Sequence, residues 1–310
     1  MTVTETTAMT ICADVGGSFI DLAMVAGTAI ANRARIPTPL DDWAGFAGVF
    51  RDYVAQNAGD VARDAPVSIA LAGLNNHATG TVISANIPCI HTRALGRDLA
   101  QALGRPIIVT NDADCYALAE AGVGLAKGES RVFGVVLGTG VGGGLVIDGR
   151  LITSAAGVGG EWGHGPIVGN GVPATVAMPV FACGCGQMGC LDTVGGARGM
   201  ERLHQFLGAH PANSRAITEA WLAGDAAAGH TIALVVDLLA GPLAMLLNLI
   251  PMNVVPVGGG LSNCLPLIAA LDQAVRSRML APPAHPLLRA SELGGHAGLI
   301  GAALAAARPV

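Results

Sequence analysis

The chain has 310 residues, of which 52% are hydrophobic and only 13% charged, and its formal net charge is −5. Because one domain usually takes about 100–200 residues, this length predicts two lobes. The acidic balance excludes a general nucleic-acid binder, which needs a clustered basic surface to neutralise phosphates.

One apolar run, His230–Ile250, is long enough to raise the question of a membrane span. It carries Asp237 near its middle and the Gly241-Pro242 pair, both of which are unfavourable in a bilayer core. We therefore expect a buried helix of a soluble protein. The N-terminal sequence MTVTETTAMT lacks the basic and apolar regions of a signal peptide. Seven cysteines, an odd number, indicate a reducing cytoplasm.

The first part of the chain alternates short apolar runs with amphipathic segments. We predict strands at residues 9–14, Phe19–Val25, Ala29–Ile36, Val67–Leu71, Thr81–Ser84 and Pro106–Thr110. Helices are predicted from Asp42 to about Gln56 and at Gly96–Leu103 and Ala113–Ala121. This alternation indicates an α/β lobe with a partly parallel sheet.

The same order of elements begins again after the polar segment Lys127–Arg131. A strand at Val132–Leu137 leads into a glycine turn at Gly138–Gly144, followed by strands at Leu145–Ile147 and Leu151–Thr153. This order predicts an internal structural repeat. We place the smaller lobe at residues 1–120 and the larger at 121–310, with a C-terminal helix at about 297–310 packing back on the first lobe.

The remainder of the second lobe is predicted to be mainly helical. Helices are expected near Gly199–Leu207, Ser214–Leu222, Asp225–Asn248, Leu265–Arg278 and Ala297–Ala307. A strand at Val254–Val257 runs into Gly258–Gly260, and the Pro-rich stretch Ala281–Leu288 is predicted to be a surface connection.

Two glycine turns, DVGGS at Asp14–Ser18 and GTGVGGG at Gly138–Gly144, each join two predicted strands. Backbone amides in such turns can surround phosphate oxygens, as a nucleotide tail requires. The alternative is a pair of ordinary tight hairpins. The second turn also matches the dinucleotide fingerprint GxGxxG, but that fingerprint requires a helix after the glycines, whereas this sequence predicts a hairpin. A nicotinamide-dependent dehydrogenase is therefore disfavoured.

Asn111 and Asp112 lie where a predicted parallel strand ends and a helix begins. Ligands of open α/β sheets bind at such ends. Both residue types also cap helices well, so capping is an alternative to a catalytic role. Asp112 is the candidate general base toward a substrate hydroxyl.

Three thiols, those of Cys183, Cys185 and Cys190, fall within eight residues, and His164 offers a fourth ligand. A Cys3His set is typical of a closed zinc site, and the alternative is a group of buried, unligated thiols. Zinc with four protein ligands is structural. It would fix this loop and with it Glu161 and the neighbouring substrate contacts.

Seven motifs together resemble the ROK family of sugar kinases and repressors, within the actin-like, hexokinase-like superfamily. In chain order they are DVGGS, SANIP, NDADCYALAEA, VVLGTGVGGGL, GEWGH, CGCGQMGC and VPVGGGLSN. The resemblance implies an α/β actin-like or hexokinase-like ATPase fold with two lobes, each a mixed sheet flanked by helices. It also implies transfer of the ATP γ-phosphoryl group to the 6-hydroxyl of an N-acetylhexosamine, with N-acetylglucosamine favoured over N-acetylmannosamine, glucose or fructose.

The resemblance also implies roles for individual residues. Asp112 would be the catalytic base, and Mg²⁺ would lie between the β- and γ-phosphates of ATP. Nucleotide contacts would come from Asp14, Gly16, Gly17, Ser18, Gly138, Thr139, Gly140, Gly142, Gly259 and Gly260. Sugar contacts would come from Gly73, Asn86, Asn111, Glu161, His164 and Asp192. A structural Zn²⁺ would be held by His164, Cys183, Cys185 and Cys190.

This sequence departs from the family pattern at four positions near the expected site. Asp192 stands where a glutamate is usual, Ser18 where a threonine is usual, and Phe19 where a lysine is usual. Asp114 replaces a usual asparagine, and its charge would raise the pKa of Asp112 if the two are close. These changes leave the sugar open.

A sugar-sensing transcriptional repressor of the same family is a second hypothesis. It would need an N-terminal helix-turn-helix, but only eight residues precede the first strand and the chain is acidic. We therefore expect a cytoplasmic enzyme with a small-molecule sugar substrate, without nucleic-acid or membrane partners, that forms a homodimer.

Overall fold

The computed structural model describes residues 9–167 and 178–307. Within them the chain forms two compact units. The first contains residues 9–127, 149–159 and 293–307, and the second contains residues 128–148, 160–167 and 178–292. Each unit is built around a mixed five-stranded sheet.

The first sheet has the strand order β3-β2-β1-β4-β7. Its strands are β1 (Thr10–Val15), β2 (Phe19–Ala26), β3 (Ala29–Pro37), β4 (Val67–Leu71) and β7 (Ile107–Asn111). Strand β1 pairs antiparallel with β2 and parallel with β4, and β4 pairs parallel with β7. A separate two-stranded ladder joins β5 (Leu74–Asn75) to β6 (Val82–Ile83).

Helices pack on both faces of this sheet. Alternate residues of β1 point to opposite sides, so each face presents its own side chains to a helix layer. Ile11 shares a core cluster with the fully buried Phe46 and Phe50. On the other face, the hydroxyl of Ser68 donates to the carbonyl of Ala302 at 2.6 Å. The helices of the first unit are α1 (Trp43–Gln56), α2 (Leu95–Leu103), α3 (Asp112–Gly122) and the C-terminal α9 (Ala297–Ala307). Residues 308–310 of the predicted last helix lie outside the described residues.

The second sheet repeats the strand order of the first, as β10-β9-β8-β11-β12. The strands are β8 (Arg131–Leu137), β9 (Val141–Ile147), β10 (Arg150–Leu151), β11 (Val255–Gly258) and β12 (Leu288–Ala290). In both sheets an antiparallel hairpin is followed by strands that pair in parallel. The predicted internal repeat is therefore confirmed at the level of topology. Strand β12 was not predicted, because it begins within the stretch expected to be a surface connection.

The helix at Ala226–Leu249 in the second unit is long and apolar enough to cross a membrane, but half of its most apolar segment is buried in the protein. Eleven of its residues are buried, and most belong to the core of this unit. Asp237 forms an ion pair with Arg278 on the exposed side. The predicted core helix is confirmed. The helices of this unit are α4 (Asp192–Gly195), α5 (Ala197–Phe206), α6 (Ser214–Leu222), α7 (Ala226–Leu249) and α8 (Leu265–Arg276).

Candidate active site

The first glycine turn connects β1 and β2 as a hairpin, with Val15 opposite Ile20. The amide of Gly16 donates to the carbonyl of Phe19 at 3.0 Å. The hydroxyl of Thr38, directly after β3, donates to the carbonyl of Gly16 at 2.7 Å. The turn is thus an ordinary hairpin in its pairing, and one backbone and one side-chain hydrogen bond hold Gly16.

Glycine is needed inside this turn because Asn86 lies against it. A Cβ atom at Gly17 would lie 3.0 Å from the Cβ of Asn86. Ser18 and Asn86 are both exposed, so they face solvent beside the turn. The structure therefore brings together two segments that the sequence could only place separately.

Asp14 lies immediately before the turn and packs against the first residues of α9. A Cβ atom at Gly298 would lie 2.3 Å from Oδ2 of Asp14. Burial, helped by the nearby carboxylates of Asp112 and Asp21 and opposed by the guanidinium of Arg35, raises the pKa of Asp14 to about 7. Asp14 therefore ionises near neutral pH in the absence of ligand.

Asn111 caps α3, as the capping alternative predicted. Its Oδ1 accepts from the amides of Ala113 at 2.8 Å and Asp114 at 3.1 Å. Its Nδ2 donates to the carbonyl of Gly73 at 3.0 Å. Gly73 has φ +156, and a Cβ there would lie 2.5 Å from the carbonyl oxygen of Ile83. This cap and the bond to Gly73 fix the Asn111 amide group, and among the described residues they use one of its two amide N–H groups.

Asp112 is the first residue of α3 and is exposed, whereas Asp114 is 4% exposed. Asp112 is close enough to Asp14 to raise that residue's pKa. Asp14 lies near the end of β1 and Asp112 directly follows β7, and these parallel strands end at one edge of the sheet, where α/β folds place their ligands. The first unit thus gathers Asp14, Gly16, Gly17, Ser18, Gly73, Asn86, Asn111 and Asp112 at this edge.

The second glycine turn is shorter than predicted. Strands β8 and β9 pair antiparallel with Leu137 opposite Val141, so the turn itself is Gly138–Gly140. Gly142 lies within β9, opposite Val136. The predicted extent to Gly144 was wrong because glycines carry no side chain whose alternation would mark the start of a strand. The predicted hairpin is confirmed, and it contradicts the helix that a dinucleotide fingerprint requires.

Asp192 holds this second turn in place. Its Oδ1 accepts from the amide of Val141 at 2.8 Å, and a Cβ at Gly140 would lie 2.1 Å from the same oxygen. At the start of α5, the amide of Ala197 donates to the carbonyl of Gly138 at 2.9 Å. One oxygen of Asp192, a predicted sugar contact, is therefore bonded to the turn.

Gly259 lies against the same turn in a left-handed conformation, with φ +86. A Cβ there would lie 2.4 Å from the carbonyl carbon of Leu137, so a side chain is excluded. The hydroxyl of Ser262 donates to the carbonyl of Gly259 at 2.7 Å. Gly260 begins a short 3₁₀ turn, and a Cβ there would meet no atom within 4 Å. Gly259 therefore packs against the backbone at Gly138, while the space in front of Gly260 is open.

His164 directs its two ring nitrogens to different groups. Its Nδ1 lies 3.5 Å from Sγ of Cys183, and its Nε2 lies 3.7 Å from Oε2 of Glu161. Burial raises the pKa of Glu161, His164 lowers it, and Asp192 adds a smaller rise. The sequence left open which group His164 serves, and this geometry allows it to contact a metal and Glu161 at once.

The ligand atoms of His164, Cys183, Cys185 and Cys190 all lie within 4.8 Å of one another. Sγ of Cys185 and Sγ of Cys190 are 3.6 Å apart. Two thiolates about 2.3 Å from one tetrahedral zinc ion would be separated by roughly 3.8 Å, so the donor set fits zinc. Residues 168–177, between His164 and the thiols, lie outside the described residues.

The backbone around the thiols also suits a metal. The amide of Gly165 donates to Sγ of Cys190 at 3.4 Å. Hydrogen bonds, chiefly from the backbone of Gln187, lower the pKa of Cys185 to about 7, whereas burial raises the pKa of Cys183 to about 12. Gly186 and Gly189 have φ +89 and +71, which allow the chain to fold back between the ligands.

Some residues that shape the site were not singled out from the sequence. Gly298 contacts Asp14, and the indole N–H of Trp162 donates to the carbonyl of Gly142 at 2.8 Å. A glycine within a helix is costly, so Gly298 and Gly301 in α9 were a signal of close packing. A Cβ at Gly301 would lie 1.8 Å from the carbonyl oxygen of Cys115.

The chain is similar over nearly its whole length to proteins of one family. The ROK family profile matches residues 10–308. The N-acetylgalactosamine kinase AgaK of Shewanella sp. (strain ANA-3) is 36% identical over 296 residues, which are 94% of each chain. The N-acetyl-D-glucosamine kinase of Pectobacterium atrosepticum is 32% identical over 295 residues, covering 94% of this chain and 96% of that protein.

Solved structures show the same relationship. The ROK family glucokinase of Streptomyces griseus, solved in complex with glucose and AMPPNP, superposes with a TM-score of 0.77 at 27% sequence identity. The comparison covers 96% of this chain and 98% of that one. The fold is the α/β actin-like ATPase fold that the motifs implied. From its sequence motifs, its repeated sheet order and these similarities, the chain belongs to the ROK family.

Proposed function

We propose that this chain is an ATP-dependent kinase that phosphorylates the 6-hydroxyl of an N-acetylhexosamine. Membership of the ROK family and the kinase names of its relatives support amino sugar kinase activity. The observation that carries the proposal is the position of Asp112. It is exposed at the start of α3, close to Asp14 and on the sheet edge that bears the first glycine turn.

Asp112 acts as the general base in this proposal. It is the first residue of α3, so its carboxylate lies at the N-terminus of that helix. An ionised carboxylate accepts the proton of the sugar hydroxyl as that oxygen attacks the γ-phosphorus. Asn111, held by its cap, donates its second amide N–H to a sugar hydroxyl.

The nucleotide is bound mainly by backbone amides. The turn at Gly16–Ser18 and the turn at Gly138–Gly140 contact phosphate oxygens, and Gly259 and Gly260 contact the adenosine. Amides without side chains in front of them suit this role. Mg²⁺ bound with ATP supplies the charge neutralisation that phosphoryl transfer requires.

Sugar recognition uses Gly73, Asn86, Glu161, His164 and Asp192 in addition to Asn111. The carboxylate of Glu161 accepts from sugar hydroxyls, and the His164 contact at 3.7 Å orients it. Structural Zn²⁺ held by the Cys3His set fixes the imidazole and therefore the loop that carries Glu161. Asp192 has one oxygen remaining for the sugar, since the other accepts from Val141.

The identity of the amino sugar is the finer part of the proposal. The named relatives divide between N-acetylgalactosamine and N-acetylglucosamine, which are epimers at C4. We retain N-acetylglucosamine as the favoured substrate, with N-acetylgalactosamine and N-acetylmannosamine as the alternatives within the class.

The reaction is tested by its product. Purified enzyme with Mg-ATP and N-acetylglucosamine is expected to form ADP only when sugar is present. Phosphorus-coupled carbon NMR of the product should place the phosphate on C6. Phosphate on another hydroxyl would overturn the 6-hydroxyl assignment, and the absence of sugar-dependent ADP formation with every N-acetylhexosamine would overturn the kinase proposal.

A further inference from the structure

Three charged residues of the first sheet form one cross-strand row beside the glycine turn. Asp14 of β1 is paired with Asp21 of β2, and Asp21 is paired with Arg35 of β3. Side chains of directly paired residues lie on the same face of a sheet. Arg35 therefore lies on the same face of the sheet as Asp14, with Asp21 between them.

Phe19 brings the guanidinium of Arg35 toward the turn. The Cζ of Arg35 lies 4.3 Å from the centroid of the Phe19 ring, which is a cation–π contact. Phe19 directly follows Ser18, and its carbonyl accepts from the amide of Gly16. The side chain of Arg35 is nevertheless 60% exposed, so donors of its guanidinium face solvent next to the turn.

Arg35 is a positive charge among several carboxylates around this turn. Asp14, Asp21 and Asp112 place three carboxylates near the turn, where they would repel a polyphosphate. Arg35 opposes the pKa rise of Asp14, so its charge reaches the end of β1. Its closest contact with Asp21 is 3.7 Å, longer than a direct hydrogen bond, so Asp21 does not bind it tightly.

We propose that Arg35, oriented by the ring of Phe19, binds the phosphate chain of the nucleotide at the Gly16–Ser18 turn. This inference rests on the proposed function, because it assigns a further residue to the same nucleotide site. The guanidinium of Arg35 would add a positive side chain to the neutral backbone amides of the turn. Arg33 is the matched comparison, since it contacts the other oxygen of Asp21 at 3.5 Å but lies two residues farther from the turn.

The test compares Arg35→Gln with Arg33→Gln. Each variant removes one positive charge from β3, and both arginines contact the carboxylate of Asp21. For Arg35→Gln we expect the KM for ATP to rise about five- to tenfold, with the KM for the sugar within about twofold of wild type. Arg33→Gln should leave both constants within about twofold. Adding salt should reduce the difference between wild type and Arg35→Gln, because exposed charges are screened.

A rescue experiment separates a binding role from a packing role. Replacing Phe19 by lysine in the Arg35→Gln background restores a cation beside the turn, so the KM for ATP should fall back toward the wild-type value. Phe19→Leu in that background, which restores no charge, should not lower it. Equal KM values for ATP in Arg35→Gln and Arg33→Gln, or a salt-independent effect, would overturn the proposal.

Direct binding keeps this inference distinct from the kinase proposal. Titration of a fluorescent ATP analogue in the absence of sugar reports the nucleotide site without turnover. If wild type formed no sugar phosphate, the kinase proposal would fail while this titration still compared the two arginines. If wild type were active and bound the analogue no more tightly than Arg35→Gln, only the Arg35 inference would fail.

Discussion

Glu161 and His164 are three residues apart in sequence, and Oε2 of the first is 3.7 Å from Nε2 of the second. The opposite ring nitrogen of His164 faces Sγ of Cys183 at 3.5 Å. A metal-binding histidine usually has its second nitrogen next to a carboxylate or carbonyl group, which fixes its orientation. The proposed zinc site and the proposed sugar contact at Glu161 are therefore expected to depend on each other.

We expect about one zinc ion per chain by elemental analysis of the purified protein. Cys183→Ser should lose most of this zinc and raise the KM for the sugar by about tenfold or more, because the imidazole and Glu161 lose their fixed positions. Cys264→Ser, at a half-buried cysteine outside the cluster, is the control and should keep its zinc. Zinc far below one ion per chain in wild type would contradict the Cys3His assignment.

Asp112→Asn removes the base but keeps the size of the side chain. We expect kcat to fall by at least about 10²-fold, while the sugar dissociation constant from calorimetry changes only a few-fold. Asp148→Asn, at an exposed turn between β9 and β10, removes one charge elsewhere and should be fully active. Near-normal kcat in Asp112→Asn would exclude Asp112 as the base.

The raised pKa of Asp14 makes the stability of the protein depend on pH. The pKa is about 7 in the folded chain against an ordinary value of 3.8, so the folded state binds this proton more tightly. The free energy of unfolding should therefore decrease as pH rises from about 4 to about 7 and stay low above that. Asparagine resembles the protonated carboxyl and removes this loss.

Urea unfolding without nucleotide measures the effect. Asp14→Asn should be more stable than wild type at pH 8 by up to about 4 kcal/mol, and the difference should shrink toward pH 5. Asp148→Asn, which keeps Asp14, should retain the pH dependence of wild type. A stability difference between Asp14→Asn and wild type that is the same at both pH values would contradict the assigned pKa.

Gly298 leaves room for the carboxylate of Asp14 at the first turn of α9. An alanine there would place its Cβ 2.3 Å from Oδ2 and displace this carboxylate. Gly298→Ala should lower kcat/KM for ATP about tenfold and reduce the free energy of unfolding by about 1–2 kcal/mol. Gly295→Ala, where a Cβ meets nothing within 4 Å, should change neither. An unchanged kcat/KM in Gly298→Ala would show that the position of Asp14 does not depend on this glycine.

Local sequence patterns predicted most of the fold. The glycines at Gly16 and Gly138 came directly between apolar runs, which left no room for a helix and therefore specified hairpins. Long-range pairing was not predictable in the same way. Strand β12 is three residues long and gains its conformation from pairing with β11, where Leu288 lies opposite Val255. No alternation in so short a segment could have revealed it.

The candidate site shows the same limit. Asn111 was placed correctly at a strand end, but its bond to Gly73 depends on a neighbouring strand. The bond from Val141 to Asp192 and the contact of Gly298 with Asp14 join segments that are far apart in the chain. Residue types indicated a candidate chemistry, whereas the hydrogen bonds that orient those residues exist only after folding.

The most direct test of the account is a steady-state panel of sugars with Mg-ATP. It should contain N-acetylglucosamine, N-acetylgalactosamine, N-acetylmannosamine, glucose and fructose, with ADP release as the measured rate. The account predicts that an N-acetylhexosamine, with N-acetylglucosamine first, has a kcat/KM at least about tenfold above that of glucose or fructose. A kcat/KM highest for glucose or fructose, or no turnover of any sugar, would contradict it.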